Sequence, residues 1–288
     1  MKQAYIKYIL ALLLFGSNGI VASHIALSSY EIVFTRTFIG SIFLIIFFLI
    51  LKGKFRIPEN KKHLGFLIIS GTAMGAGWMF LYEAYSQIGV SIATLMCYCG
   101  PIIIVAFSPL IFRERISSIK IIGLFAVLLG LYLLNEASLL QNGFSWGLLC
   151  GLLTALMYVF MVVFNKKATS IMGIENAMAQ LVISFFVVAI FTFIKRGSII
   201  IELQGENILP VLLLGIINTG IGCYLYFSSI QKLQAQSVAI LGYLEPVSAL
   251  LFSAMLLHEH LSFIQIIGAV LILGGAMLGE FFHRKPVS

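Results

Sequence analysis

The sequence predicts an all-α integral membrane protein: ten transmembrane helices arranged as a 5+5 inverted-topology repeat. Three observations carry this prediction: an apolar composition, ten apolar runs of spanning length, and an internal duplication. Of 288 residues, 60% are hydrophobic and only 10% charged, with a mean hydropathy of +1.07. A soluble domain carries about 25% charged residues, so this chain lacks the charge to solvate a globular surface. Lipid is the solvent that fits. The 26 glycines, spread through the apolar runs, suit close helix approach in a bilayer.

A span needs about 20 apolar residues. Ten runs qualify, roughly residues 4–25, 31–51, 63–84, 91–112, 118–135, 145–165, 175–194, 208–229, 235–257 and 263–282. The first, with Lys2 before it and Lys7 near its start, resembles a signal peptide, but nine further runs make it the first span. Charged or turn-forming residues separate the rest, among them Lys52-Gly53-Lys54, Gly89, Arg113-Glu114-Arg115, Asn135-Glu136, Asn165-Lys166-Lys167, Lys195-Arg196-Gly197, Gln231-Lys232 and His258-Glu259-His260.

Lys and Arg set the orientation. With the N-terminus in the cytoplasm, cytoplasmic segments hold Lys2, Lys7, Lys52, Lys54, Arg56, Lys61, Lys62, Arg113, Arg115, Lys120, Lys166, Lys167, Lys232, Arg284 and Lys285, which is 15 of the 18 basic residues. Outer loops hold Lys195 and Arg196. Both termini are therefore expected in the cytoplasm, in a cell membrane. The net charge of +7 is an orientation signal, not a nucleic-acid face.

Sliding the chain by 145 positions places Tyr98-Cys99-Gly100-Pro101 on Tyr243-Leu244-Glu245-Pro246. From Tyr98 to Leu133, 13 of 36 positions are identical. The boundary falls near residue 140, giving repeats 1–140 and 141–288. Five spans per repeat is an odd number, so the halves are expected upside down relative to each other. Inverted halves suit a carrier, whose site lies where they meet.

The segments Leu81-Tyr82-Glu83-Ala84-Tyr85, Ser91-Ile92-Ala93-Thr94-Leu95, Tyr98-Cys99-Gly100-Pro101 and Arg113-Glu114-Arg115-Ile116 recur in kind as Leu225-Tyr226, Tyr243-Leu244-Glu245-Pro246 and His258-Glu259-His260-Leu261, followed by Gly268-Ala269 and Gly274-Gly275. This pattern, over nearly the whole chain, resembles the drug/metabolite transporter superfamily in its ten-helix EamA-type branch. The resemblance implies two inverted five-helix repeats and export of metabolites such as amino acids from the bacterial cytoplasm. It leaves the solute open, because relatives move amino acids, sugars, nucleosides, amines and drugs. The four-helix multidrug relatives use a glutamate in their first helix. Here that helix offers Ser17 and Asn18 instead, so their proton exchange does not carry over by position.

Charges inside apolar spans mark functional sites by default. Arg36 reads either as a bidentate anchor for a carboxylate or phosphate or as an interfacial arginine reaching headgroups. Glu83 reads as a proton carrier, an ammonium partner, or a glutamate at the outer interface. Glu245 precedes Pro246; it serves either a solute or the backbone groups that a proline kink frees. Pro101 predicts the matching kink. Ser91, Thr94, Tyr98, Pro101 and Ser108 share one helical face, and Gln236, Ala239, Tyr243, Pro246 and Ser253 trace its repeat; Tyr98 and Tyr243 are expected to oppose each other across the repeat axis. Trp78 and Tyr82 share a face, as do Asn218, Gly222 and Tyr226, and Tyr158 adds an aromatic from the sixth span. These groups suit either a semi-apolar organic solute or helix–helix packing and interfacial aromatic belts.

The four cysteines and five histidines form no metal-ligand spacing, and no phosphate-cradling loop or nucleophile–base motif appears. No cofactor, metal, ATP or nucleic acid is expected. The expected partners are a small solute and the lipid bilayer, with proton coupling and the oligomeric state open and a monomer among the options. The expected function is non-ATP-driven export of small metabolites by alternating access, with Arg36 and Glu83 as opposite poles of a zwitterion site. The rival within transport is efflux of cationic or amphipathic drugs; the rival outside it is a membrane-embedded receptor or enzyme.

Overall fold

A computed structural model describes residues 1–53, 55, 59–135, 146–201, 203, 205–256 and 262–281. Expectations placed on Lys54, Arg56, Glu136, His258, Glu259, His260, His283, Arg284 and Lys285 lie outside the described residues, as does the Ser91 side chain. The described chain is helical throughout: α1 (Lys2–Gly16), α2 (Asn18–Ser23), α3 (Ser29–Ile50), α4 (Lys61–Ile88), α5 (Val90–Cys97), α6 (Cys99–Phe112), α7 (Ser118–Asn135), α8 (Trp146–Lys167), α9 (Gly173–Arg196), α10 (Gly205–Leu212), a π-helical stretch Leu213–Ile221, α11 (Gly222–Ile230), α12 (Ala235–Gly242), α13 (Leu244–Leu256) and α14 (Phe263–Phe281).

Among the described residues, seven helical stretches are long and apolar enough to cross a membrane: Lys2–Ser23, Ser29–Ile50, Lys61–Ile88, Trp146–Lys167, Gly173–Arg196, Gly205–Ile230 and Ala235–Leu256. Cys99–Phe112, Ser118–Leu133 and Phe263–Gly279 are apolar but shorter. Large side chains such as Ile46, Leu110, Phe125, Ile190, Phe193 and Met255 stand exposed on the outside of the bundle. In water that belt would drive aggregation; in hydrocarbon it carries no cost. The protein is a multi-pass membrane protein.

The chain breaks where the repeat says its halves correspond. α5 ends at Cys97 and α12 at Gly242, one offset of 145 apart. Tyr98 (φ −73°, ψ 0°) and Tyr243 (φ −71°, ψ −4°) bridge to α6 and α13 with nearly the same backbone. Pro101 and Pro246 therefore sit in the first turn of a new helix, where a missing N–H costs no intrahelical bond. The break is at the tyrosine, three residues before each proline.

α7 and α14 meet at glycines. A Cβ on Gly123 would lie 2.5 Å from the Gly275 carbonyl oxygen, and one on Gly130 would lie 2.5 Å from that of Gly268. The offset turns Gly123 into Gly268 and Gly130 into Gly275, so the two contacts exchange under the repeat. Such reciprocity is the mark of an isologous contact, here within one chain. Elsewhere α4 packs on α8 and α9, α3 on α9, and α1 on α11 and α13.

Two further discontinuities face each other. α1 stops at Ser17, and the π-helical stretch widens the helix opposite. The Asn218 amide donates to the Leu14 carbonyl and the Ser17 hydroxyl oxygen, each at 2.8 Å. This stitch satisfies groups that the break would orphan.

Candidate functional site

A cavity of about 190 Å³ lies where α1, α3, α4, α8, α11 and the broken helices converge. Its walls are mostly apolar and aromatic: Leu12, Phe15, Met74, Tyr85, Met161 and Phe227 among others. Two ionisable side chains of opposite type, one basic and one acidic, face it. Arg36 comes from α3, 7% exposed, with its guanidinium stacked 4.6 Å from the Trp78 ring centroid. Glu245 comes from the first turn of α13, just past the Tyr243 break. The two line the same cavity, yet among the described residues they form no ion pair.

Unmet polar atoms collect on the same cavity. Arg36 Nε and Asn18 Oδ1 are buried without a hydrogen-bond partner among the described residues, and both residues line the cavity. Leaving a buried polar group unpaired costs about 1–3 kcal/mol, and more when it is charged. Such atoms point to a polar ligand. The tyrosines supply a second polar wall. Tyr8 and Tyr226 pack with centroids 5.4 Å apart, and the Tyr8 hydroxyl donates to the Val238 carbonyl at 2.7 Å. A Cβ on Gly242 would sit 3.6 Å from the hydroxyl oxygens of both Tyr8 and Tyr158, so any larger residue there would enter the cavity.

The sequence-predicted residues divide. Asn18, Arg36, Trp78, Tyr98, Tyr158, Glu245 and Pro101 line the cavity. Tyr243 is fully buried beside it; its ring lies 5.8 Å from that of Tyr98, and its hydroxyl donates to the Tyr98 carbonyl at 2.7 Å. The expected opposition of these tyrosines thus takes the form of a direct bond. Ser17 and Asn218 are used in the stitch described above. Tyr82 packs edge-on against Tyr85, and it is Tyr85 that lines the cavity.

Glu83 lies away from the cavity lining. It pairs with Lys195 at 3.0 Å and accepts from the Tyr30 hydroxyl. Arg196 and Glu31 pair alongside at 2.8 Å, tying α9 to α3 and α4 at one end of the bundle. The structure thus does not bring Glu83 to the cavity that Arg36 lines; the glutamate lining that cavity is Glu245. Sequence reasoning missed Tyr8, Leu12 and Phe15 as cavity residues. Their spacing with Asn18 puts all four on one face of the first span, and that face was the available signal.

The profile of the EamA-like transporter family matches residues 2–136 and again 145–279. A Bacillus subtilis protein named "Uncharacterized transporter YxxF" is 25% identical over 281 residues, covering 96% of this chain and 89% of its own length. A Salmonella typhimurium protein named "Probable amino-acid metabolite efflux pump" is 26% identical over 243 residues, covering 80% of this chain and 81% of its own. A solved crystal structure, 20% identical, superposes with a TM-score of 0.82 over 98% of this chain and 99% of that one. That likeness shows the fold.

Proposed function

Because the chain belongs to the EamA-like transporter family, we propose that it is a secondary carrier of the cytoplasmic membrane that exports small organic metabolites, amino acids foremost, by alternating access. The observation that carries this reading is the cavity holding Arg36 and Glu245 unpaired within one apolar, aromatic chamber. A zwitterion supplies both missing partners. Its carboxylate would meet the Arg36 guanidinium, whose fork and fixed charge suit it. Its ammonium would meet Glu245, and its side chain would pack among Met74, Met161 and Phe227.

In this reading the chain crosses the membrane ten times, as halves 1–140 and 141–288 of opposite topology. The matching breaks at Tyr98 and Tyr243, the exchanging glycine contacts and the two family matches support it. The lysine bias supports both termini in the cytoplasm. Any proton exchange is assigned to Glu245, the carboxylate open to the chamber.

The tyrosine wall and Glu245 alone would also suit an organic cation. Arg36 argues against that reading, because it places a fixed positive charge in the same chamber. Counterflow in proteoliposomes separates the two. Labelled amino acid should exchange and a quaternary ammonium should not; exchange of the quaternary ammonium alone would overturn the assignment.

A further inference from the structure

α12 is an eight-residue half-helix, about 12 Å long, and every one of its residues is buried. Its C-terminal end delivers Gly242 to the cavity and leads through Tyr243 to Glu245. Its N-terminal end lies among lysines, so α12 stands between the cavity and the lysine-rich end of the bundle. Its own N-cap residue, Gln234, makes no side-chain cap. The cap comes from another helix pair. The Glu114 carboxylate accepts from the backbone N–H of Ala235 at 2.7 Å and of Gln236 at 3.1 Å. A carboxylate on two orphan donors at a helix N-terminus is a strong, charge-assisted arrangement.

The surroundings reinforce that hold. Lys120 donates to the side-chain oxygens of Gln236 at 2.8 Å and Gln234 at 3.2 Å, and Gln236 donates to the Ser108 hydroxyl oxygen at 2.7 Å. Lys166 donates to the Ile230 and Leu233 carbonyls, fixing the turn that leads into α12. Arg113, just before Glu114, adopts the left-handed conformation (φ 58°, ψ 28°). A non-glycine residue there is strained by about 1–3 kcal/mol. The chain bears that strain at the turn that brings Glu114 to α12.

The repeat shows what this hold does. α12 packs against α6. The offset of 145 maps that pair onto α5 and α13, which show no comparable packing among the described residues. Among the described residues, one of two repeat-related seams is packed and the other is not. In a carrier of inverted halves the two seams exchange roles.

We propose that Glu114 is the positioning residue that latches α12 in the closed position of the lysine-rich end, and that this bond is released when the cavity opens to that side. The proposal rests on the alternating-access reading.

The first test is Glu114→Gln, with Glu114→Asp as the conservative variant, in full-length protein in nanodiscs. Hydrogen exchange of the first α12 amides should quicken about tenfold in the glutamine variant and less in the aspartate variant. In proteoliposomes of fixed orientation, the apparent KM should fall on the lysine-rich side and rise on the opposite side, because weakening one closed state shifts the population. A merely structural residue would move both values in the same direction. Unchanged exchange at α12, or parallel shifts in KM, would overturn the latch. The exchange measurement needs no solute, so it stays readable if the carrier reading fails.

The second test covers a variant that does not fold. Arg115→Cys with Gln234→Cys, both exposed positions, would be bridged by a short bis-methanethiosulfonate. Flux should stop and return on reduction. Undiminished flux with the bridge closed would refute the latch.

Discussion

Two glutamates sit in apolar helices and have opposite fates. Glu83 is answered by the protein itself: Lys195 and Tyr30 satisfy it at one end of the bundle. Glu245 is presented to a chamber that Arg36 also lines, and among the described residues the two form no ion pair. Both are carboxylates in apolar spans, and both carry the same prior for function. The distinguishing quantity is whether the fold supplies the counter-charge. A carboxylate with its partner built in is held by the fold; under the proposed reading, one without it takes its partner from the solute.

Four substitutions break or sharpen this contrast. Glu245→Gln should have the largest effect. Amino-acid counterflow should fall about thirtyfold or more, the roughly 2 kcal/mol or greater cost of losing one member of a desolvated charge pair. Its melting temperature should stay near that of the parent, because no ion pair within the protein is lost. A variant with full counterflow would return Glu245 to the structural class.

Arg36→Lys comes next. It keeps the charge but loses the planar fork and the stacking on Trp78. The apparent KM for the amino acid should rise on the order of tenfold, with the maximal rate less affected. An unchanged KM would mean that the guanidinium does not touch the solute.

Glu83→Gln should invert the pattern. Counterflow should stay within about threefold, whereas stability should drop by about 1 kcal/mol. The figure is small because the Lys195 side chain is 42% exposed. A thermal melt in detergent reads it, at about 3 °C per kcal/mol for a chain of this size. Lys195→Met should show the smallest change, about half of that. A Glu83 variant that lost transport and kept its melting temperature would collapse the distinction between the two glutamates.

The sequence displayed the membrane class, because composition and run length report the solvent directly. It displayed the repeat and, through the prolines, a matched pair of interruptions, though it put them at Pro101 and Pro246 where the helices break at Tyr98 and Tyr243. It displayed Arg36 and Glu245 as charges out of place. It could not display pairing. Glu83 and Lys195 are remote in the chain, and nothing in either run announces that α9 will bring one to the other. The hold of Glu114 on α12 was hidden for a related reason: its partners are backbone N–H groups, which every sequence position possesses. Residues such as Tyr8 and Met161 read as ordinary apolar lining until packing shows which side of the helix is hollow.

The central claim is that one chamber recognises both ends of a zwitterion. Ligand-induced thermal stabilisation of the purified protein tests it, using an α-amino acid, its N-acetyl derivative and its methyl ester. Binding to the folded state raises the melting temperature by mass action. The free amino acid should stabilise, and blocking either end should remove most of the shift. In the Glu245→Gln variant, the distinction between the amino acid and its N-acetyl derivative should vanish. A methyl ester that stabilises the protein as well as its parent does would contradict a carboxylate at Arg36, and with it the account of the site.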